Sequence, residues 1–130
     1  MDTTDRRHDI LNKYQALHSF WSGFDLIAYD ATSVPDEATL PYLTYEVSGA
    51  DFGTELAQTA NLWYRSSSWA AITLKEMQIA DYIGRGGKLV QYDDGAFWIK
   101  KGTPWSQRMT DDSDPDVRRM LLNVEIEFID

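Results

Sequence analysis

The chain has 130 residues, 43% of them hydrophobic and 25% charged, which suits a single globular domain spanning 1–130 and excludes a disordered segment. It contains no cysteine, so disulfides, thiolate metal sites and thiol nucleophiles are excluded together, and a domain of this size needs no covalent staple. Its net charge of -9, from 21 acidic and 12 basic residues, works against tight or sequence-specific binding to nucleic acid, whose affinity comes mainly from Lys and Arg neutralising phosphates.

The first element reads as a helix from about Thr4 to Ser22, because Ile10, Tyr14, Leu17, Trp21 and Phe24 recur at steps of four and three. Thr3 or Thr4 can cap it, and Gly23 is placed to end it in a left-handed conformation. A short apolar strand, Leu26 to Tyr29, follows, then a loop with two prolines from Asp30 to Pro41. Tyr42 to Val47 is rich in aromatic and β-branched residues, as a half-buried strand should be, and Gly49 to Gly53 breaks it. A third strand covers Leu56 to Arg65, and any of Ser66, Ser67 and Ser68 can cap a second helix running to about Ile83. That helix places Trp69, Ile72, Ile79, Ala80 and Ile83 on one side, with Gly84 at its end.

The stretch "KLVQYDDGAFWIKKG" reads as a hairpin, with Asp94-Gly95 as its two-residue turn. Closing Asp93 on Ala96 sets Tyr92 against Phe97 and Val90 against Ile99, and sends Gln91 and Trp98 to the other surface. In the last strand, Arg118 to Ile129, the residues Met120, Leu122, Val124, Ile126 and Phe128 face one way. Arg119, Asn123, Glu125 and Glu127 face the other, with Leu121 the apolar exception. The order helix, strands, helix, hairpin, long strand predicts an α+β fold: an antiparallel or mixed sheet with two helices on one face. No apolar run approaches the roughly 20 residues needed to span a bilayer, so the expectation is a soluble, non-secreted protein with no membrane partner.

Familiar chemistries fail on spacing. "TDDSDPD", Thr110 to Asp116, alternates Asp112, Asp114 and Asp116 as a calcium loop would, but Val117 and Asn123 stand where that loop needs Gly and a bidentate Glu. "GRGGK", Gly84 to Lys88, has Tyr82 and Leu89 where a Walker loop needs Gly and Ser or Thr, and it follows a helix instead of preceding one. His8 and His18 lie ten residues apart on one helix, roughly 80° around its axis and nearly three turns along it, so they cannot share a metal. No Gly-x-Ser-x-Gly elbow is present, and Asp93 and Asp94 adjoin a turn that favours Asp. The expectation is a non-enzymatic protein with no catalytic residue, no metal ligand and no cofactor.

What stands out is aromatic content: five Trp, seven Tyr and five Phe. Trp63 and Trp98 point away from the helices by strand alternation, and Trp105 sits in a connection containing Pro104. Aromatic residues on the open face of a sheet commonly mark contact with another chain, although a loop folding over them would give the same pattern.

Three stretches resemble the tail terminator, or tail completion, proteins of long-tailed bacteriophages and prophages. They are "LIAYD" followed by "LPYLTYEV"; "LWYRSSSWAA"; and "DDGAFWIKKGTPWSQRM" before "DPDVRRMLLNVEIEFI". With the first helix they span most of residues 10–129. The resemblance implies a structural subunit that assembles with itself into a ring, commonly a hexamer, on the finished tail tube. Such a ring stops addition of tube protein and presents a surface to the head connector and completion proteins, at the tail-head junction of the virion assembled in the host cytoplasm. It carries over no catalytic residue. A head-tail joining (neck) protein of the same particle is the near alternative; a small ligand-binding domain or enzyme using the aromatic face as a pocket is the distant one.

For such a ring Trp63, Trp98 and Leu121 are candidate interface residues on the open face, and Trp105 with Arg108 a candidate rim. Sheet edges could also pair between subunits. DNA passes through the bore of such a ring without being read, and a wall carrying Asp111, Asp112, Asp114 and Asp116 would avoid adhesion to it.

Overall fold

Helix α1, Thr3–Trp21, opens the fold and runs on into a single 3-10 turn, Ser22–Phe24. The structure, a computed structural model, describes residues 3–46, 56–93, 95–110 and 113–129, with side chains described from Ile10 onward. The expected stripe is largely the buried one: Leu17, Trp21 and Phe24 are buried and Tyr14 is half-buried, but Ile10 is exposed. The extra turn moves the stop. Gly23 lies inside it, and the left-handed residue is Asp25 (φ 60°), so the chain buries Phe24 before it reverses. Asp is among the few non-Gly residues that enter this region at modest cost.

Six strands follow in one mixed sheet that curls into a half-barrel, with spatial order β1-β2-β3-β6-β5-β4. They are β1 Ala28–Asp30, β2 Tyr42–Tyr45, β3 Leu56–Arg65, β4 Lys88–Tyr92, β5 Gly95–Met109 and β6 Val117–Ile129, with α2 Ala70–Ile83 between β3 and β4. Only β1 and β2 pair in parallel, so the architecture is the expected α+β one, with both helices on a single face. The expected break at Gly49 to Gly53 lies outside the described residues.

The spine is the antiparallel ladder of β3 on β6, which runs from Leu56 opposite Ile126 to Arg65 opposite Val117. Alternation sends Leu62, Leu122, Val124 and Ile126 under the helices, all at most 1% exposed. Each such side chain contributes about 1.5–3 kcal/mol through removal from water. Trp21 from α1 is fully buried on this layer, and its indole N–H donates to Gln58 Oε1 at 3.1 Å. Gln58 Nε2 in turn donates to the Glu46 carbonyl at 2.9 Å, so this buried amide ties α1 to β3 and to the residue that follows β2.

Helix α2 starts two residues past the serine run. Ser68 Oγ accepts from the Ala70 amide at 3.3 Å, and Ser66 Oγ accepts from Ser68 at 3.1 Å, so the serines order the approach to the helix. Ile72, Ile79 and Ile83 form its buried stripe, and Gly84 (φ 81°) ends it with its amide donating to the Ala80 carbonyl at 2.9 Å.

The hairpin keeps the expected faces but slips by two residues. Tyr92 pairs with Gly95 and Val90 with Phe97, and Leu89 lies opposite Trp98. Burial fixes only which face a side chain takes, and a two-residue slip preserves that, so the alternating pattern could not select the register. The expected turn residue Asp94 lies outside the described residues. β5 also runs further than its proline suggests. Its pairing with β6 is interrupted between Lys101, opposite Val124, and Ser106, opposite Leu122, by a bulge that contains Pro104 and Trp105. A bulge is where a sheet tolerates proline, because no ladder amide is needed there. Asn123 Nδ2 donates to the Pro104 carbonyl at 3.1 Å and holds the bulge closed.

Candidate interaction surfaces

The open face of the sheet gathers part of the expected aromatic patch. Trp63 on β3 is half-buried; its indole N–H donates to Thr44 Oγ1 at 2.9 Å, and the Arg119 guanidinium lies 5.3 Å from the centre of its ring. Tyr42 stands beside it at 6.4 Å between ring centres, and Tyr29 meets Tyr42 edge-on at 5.5 Å. Leu121 is half-buried on the same face, two positions from Arg119 along β6 and opposite Asn61. Asn61 itself is buried here, and its Oδ1 has no hydrogen-bond partner among the described residues.

Trp98 shares that face but not that patch. It pairs with Glu127, whereas Trp63 pairs with Arg119, so eight positions of β6 separate them, about 27 Å at roughly 3.4 Å per residue. Trp98 is 36% exposed and folds over Gly87 (φ 97°), where a Cβ would stand 2.8 Å from its Nε1. Glycine there is what allows the indole to lie flat on the turn.

Trp105 and Arg108 lie on the other side of the sheet. Within the bulge Trp105 turns toward the helices, packs against the core and donates its indole N–H to Glu76 of α2. Arg108 pairs with the core residue Met120, and its guanidinium lies 4.9 Å from the ring centre of Trp69, at the start of α2. Arg118 approaches the same ring at 5.3 Å and donates to the Ser67 carbonyl at 2.9 Å, so two arginines flank one indole. The expected rim at Trp105 and Arg108 is thus not on the open side: the connection around Pro104 is a bulge within β5, after which Arg108 pairs with the inward-facing Met120, and hydrophobic alternation does not encode the position of such a bulge.

In the acidic connection, Asp114 pairs with Arg65 at 3.1 Å and also accepts the Asp116 amide at 3.0 Å. The carboxylate thus shapes a turn into β6, in accord with the reading of "TDDSDPD" as a connection. Asp111 and Asp112 lie outside the described residues. Among the described residues no group of three or more His, Asp or Glu side chains could hold a metal ion.

Two further features were not anticipated. A half-open groove of about 410 Å³ runs between α1 and the edge strand β4, with Phe20, Phe24, Tyr82 and Tyr92 as its aromatic walls and Asn12 and Gln15 as polar ones. The outer face of α2 exposes Leu74 and Met77. The sequence carried a signal for the second, since α2 is apolar on both sides and not along one stripe. The groove depends on how far α1 stands from β4, which no local pattern states.

Titratable groups in the interior are sparse. Burial, reinforced by the Asp30 carboxylate, raises the Tyr45 phenol above its ordinary pKa, and burial alone raises Tyr64. Tyr45 Oη lies 2.7 Å from His18 Nδ1, in the last turn of α1. No helix among the described residues is long and apolar enough to cross a membrane. Comparison with known proteins finds no family model that matches the chain and no curated protein that matches it.

Proposed function

We propose that the chain is a structural subunit of a phage tail terminus, which closes with copies of itself into a ring on the tail tube, stops tube polymerisation and offers the surface to which the head connector joins. The observation that carries this reading is the order in which the resembling stretches fall. "LIAYD" and "LPYLTYEV" contain β1 and β2, "LWYRSSSWAA" joins β3 to α2, and the last two contain β5 and β6. The likeness therefore follows the elements of the fold and not one local motif.

The architecture is compatible with head-to-tail closure. The sheet ends in two different edges, β1 and β4, at its opposite sides, and a closed ring requires that one surface of a subunit meet a different surface of the next. Strand β4 carries no proline and leaves one row of backbone groups without a neighbouring strand, which is how sheets extend between subunits. Trp63 with Leu121, and separately Trp98, offer apolar area beside such contacts. In this reading the acidic connection before β6 lies toward the bore, where carboxylates keep passing DNA from adhering.

The test is electron microscopy of lysates from a parent phage or prophage with an early stop codon in this gene. Tubes of uncontrolled length beside unattached filled heads are expected. Tubes of normal length that fail to join heads would assign the protein to the neck, and intact infectious particles would refute both. A small ligand-binding role is the second reading, favoured by the groove beside β4, whose volume falls in the range of ligand sites.

A further inference from the structure

A guanidinium drawn against the body of a protein ordinarily meets a carboxylate or a set of carbonyls that take up its donors. The corner between the start of α2 and the β5–β6 ladder departs from this. Arg108 lies opposite Met120, so Arg118 is its diagonal neighbour on the helix side of the sheet, roughly 7 Å away. Both guanidinium groups lie against the ring of Trp69, at 4.9 Å and 5.3 Å from its centre, so the indole gathers two like charges in one place. Neither forms an ion pair with a carboxylate among the described residues, although the chain has 21 acidic residues against 12 basic ones. Carboxylates of the neighbouring segments are engaged elsewhere, Asp114 with Arg65 and Glu76 with Trp105.

Hydrogen-bond donors in this corner lack acceptors. Arg118 gives one N–H to the Ser67 carbonyl at 2.9 Å, but its Nε is buried and has no hydrogen-bond partner among the described residues. The hydroxyl of Thr73, one turn along α2 from Trp69 and on the same side of the helix, is likewise buried without a partner among them. Arg108 is exposed, and its guanidinium makes no hydrogen bond with a described residue. The first turn of α2 carries no acidic residue that would offset this charge. A positive, donor-rich corner on a chain of net charge -9 calls for an anion with several acceptor oxygens.

We propose that this corner binds a phosphate group, held between Arg108 and Arg118. A tetrahedral phosphate offers oxygens to both guanidinium forks at once, whereas a carboxylate is planar and fills one fork. The charge of the whole chain limits the size of the ligand. A long polyanion such as DNA would bring further phosphates against the acidic surface around the site, so the ligand is a free phosphate ion or a small phosphomonoester, which present the same oxygens. The site lies across the sheet from Trp63 and Arg119, and it uses neither sheet edge, so it does not depend on the ring reading.

Nuclear magnetic resonance of the isotope-labelled chain tests this. Sodium phosphate added to about 20 mM, at an ionic strength held constant with sodium chloride, should shift the Arg118 Nε–H and Trp69 indole N–H signals saturably, with a dissociation constant of about 1 mM or less. Arg108→Gln should weaken binding at least about tenfold, and because that side chain is exposed, the rest of the spectrum should stay as in the wild type. Arg119→Gln, on the other face of the sheet, should leave the affinity unchanged. O-Phosphoserine supplies the ester arm: binding through Arg108 that is tighter than that of the inorganic ion assigns a phosphomonoester, and weaker binding assigns the free ion. Acetate should bind at least about tenfold more weakly than phosphate. The absence of any saturable shift beyond that of sodium chloride would overturn the proposal, as would equal affinity for acetate or an affinity that Arg108→Gln leaves unchanged. Each of these failures would leave the tail-terminus reading standing, since tube length tests that separately.

Discussion

Tyr45 shows how one buried polar group ties helix to sheet. Its hydroxyl meets His18 of α1, and its ring lies in the core with the Asp30 carboxylate nearby. Burial first, and Asp30 second, favour the neutral phenol in the folded chain and raise its pKa. A group raised on folding contributes stability that is fully present below its unfolded pKa, about 10 for Tyr, and that is lost as pH rises through the folded value. Tyr64, raised by burial alone, adds to the same loss. Tyr45→Phe should therefore act in two ways. At pH 7 it should cost about 0.5–1.5 kcal/mol through the lost hydrogen bond. Above about pH 10 its stability should fall less steeply than that of the wild type. Urea midpoints measured from neutral to alkaline pH test this, and parallel curves for the two proteins would show that Tyr45 does not titrate with unfolding.

Between elements, the Trp105–Glu76 hydrogen bond joins the β5 bulge to α2, and neither partner could be assigned that role from sequence. Trp105→Phe keeps an aromatic ring against the core but leaves a half-buried carboxylate without its donor, so it should destabilise the chain by about 1–3 kcal/mol. Adding Glu76→Met should recover most of that loss in thermal melts, because removing both members of a polar pair leaves nothing unsatisfied. If the second substitution deepens the loss, the hydrogen bond is not what Trp105 contributes. The same region marks the limit of what the sequence discloses. β6 was legible because it has one buried face with an unbroken period, and β3 and α2 through the composition and the serine and glycine residues that bound them; the bounds of all three agree closely with the expected ones. The hairpin was legible in its faces and not its register, since period two cannot detect a slip of two. The bulge was illegible, so Trp105 and Arg108 were assigned to a rim while the chain turns them toward α2. Trp63 and Leu121 were placed correctly on the open face, but their distance from Trp98 follows from the register of three strands taken together.

On the scale of the whole molecule, the candidate contact surfaces are the two sheet edges, the Tyr42–Trp63 patch and the outer face of α2, all carried by a chain of net charge -9. Long-range repulsion opposes each of them equally, while the attraction at each is mainly apolar or through backbone groups. Salt separates the two contributions. The Debye length falls from roughly 10 Å at 0.1 M to about 3 Å at 1 M, which removes repulsion between copies and leaves apolar burial intact. Self-association of this chain should therefore strengthen, by several-fold, on going from about 0.05 M to 0.5 M sodium chloride. Contacts built on ion pairs would behave oppositely, and the Arg65–Asp114 and Lys100–Glu125 pairs among the described residues are surface pairs of the kind that contribute little. Measuring the association constant across that range thus tells which force joins the copies. Weakening with salt would mean that charged surface, with acidic and basic patches brought together, dominates over the apolar faces identified above.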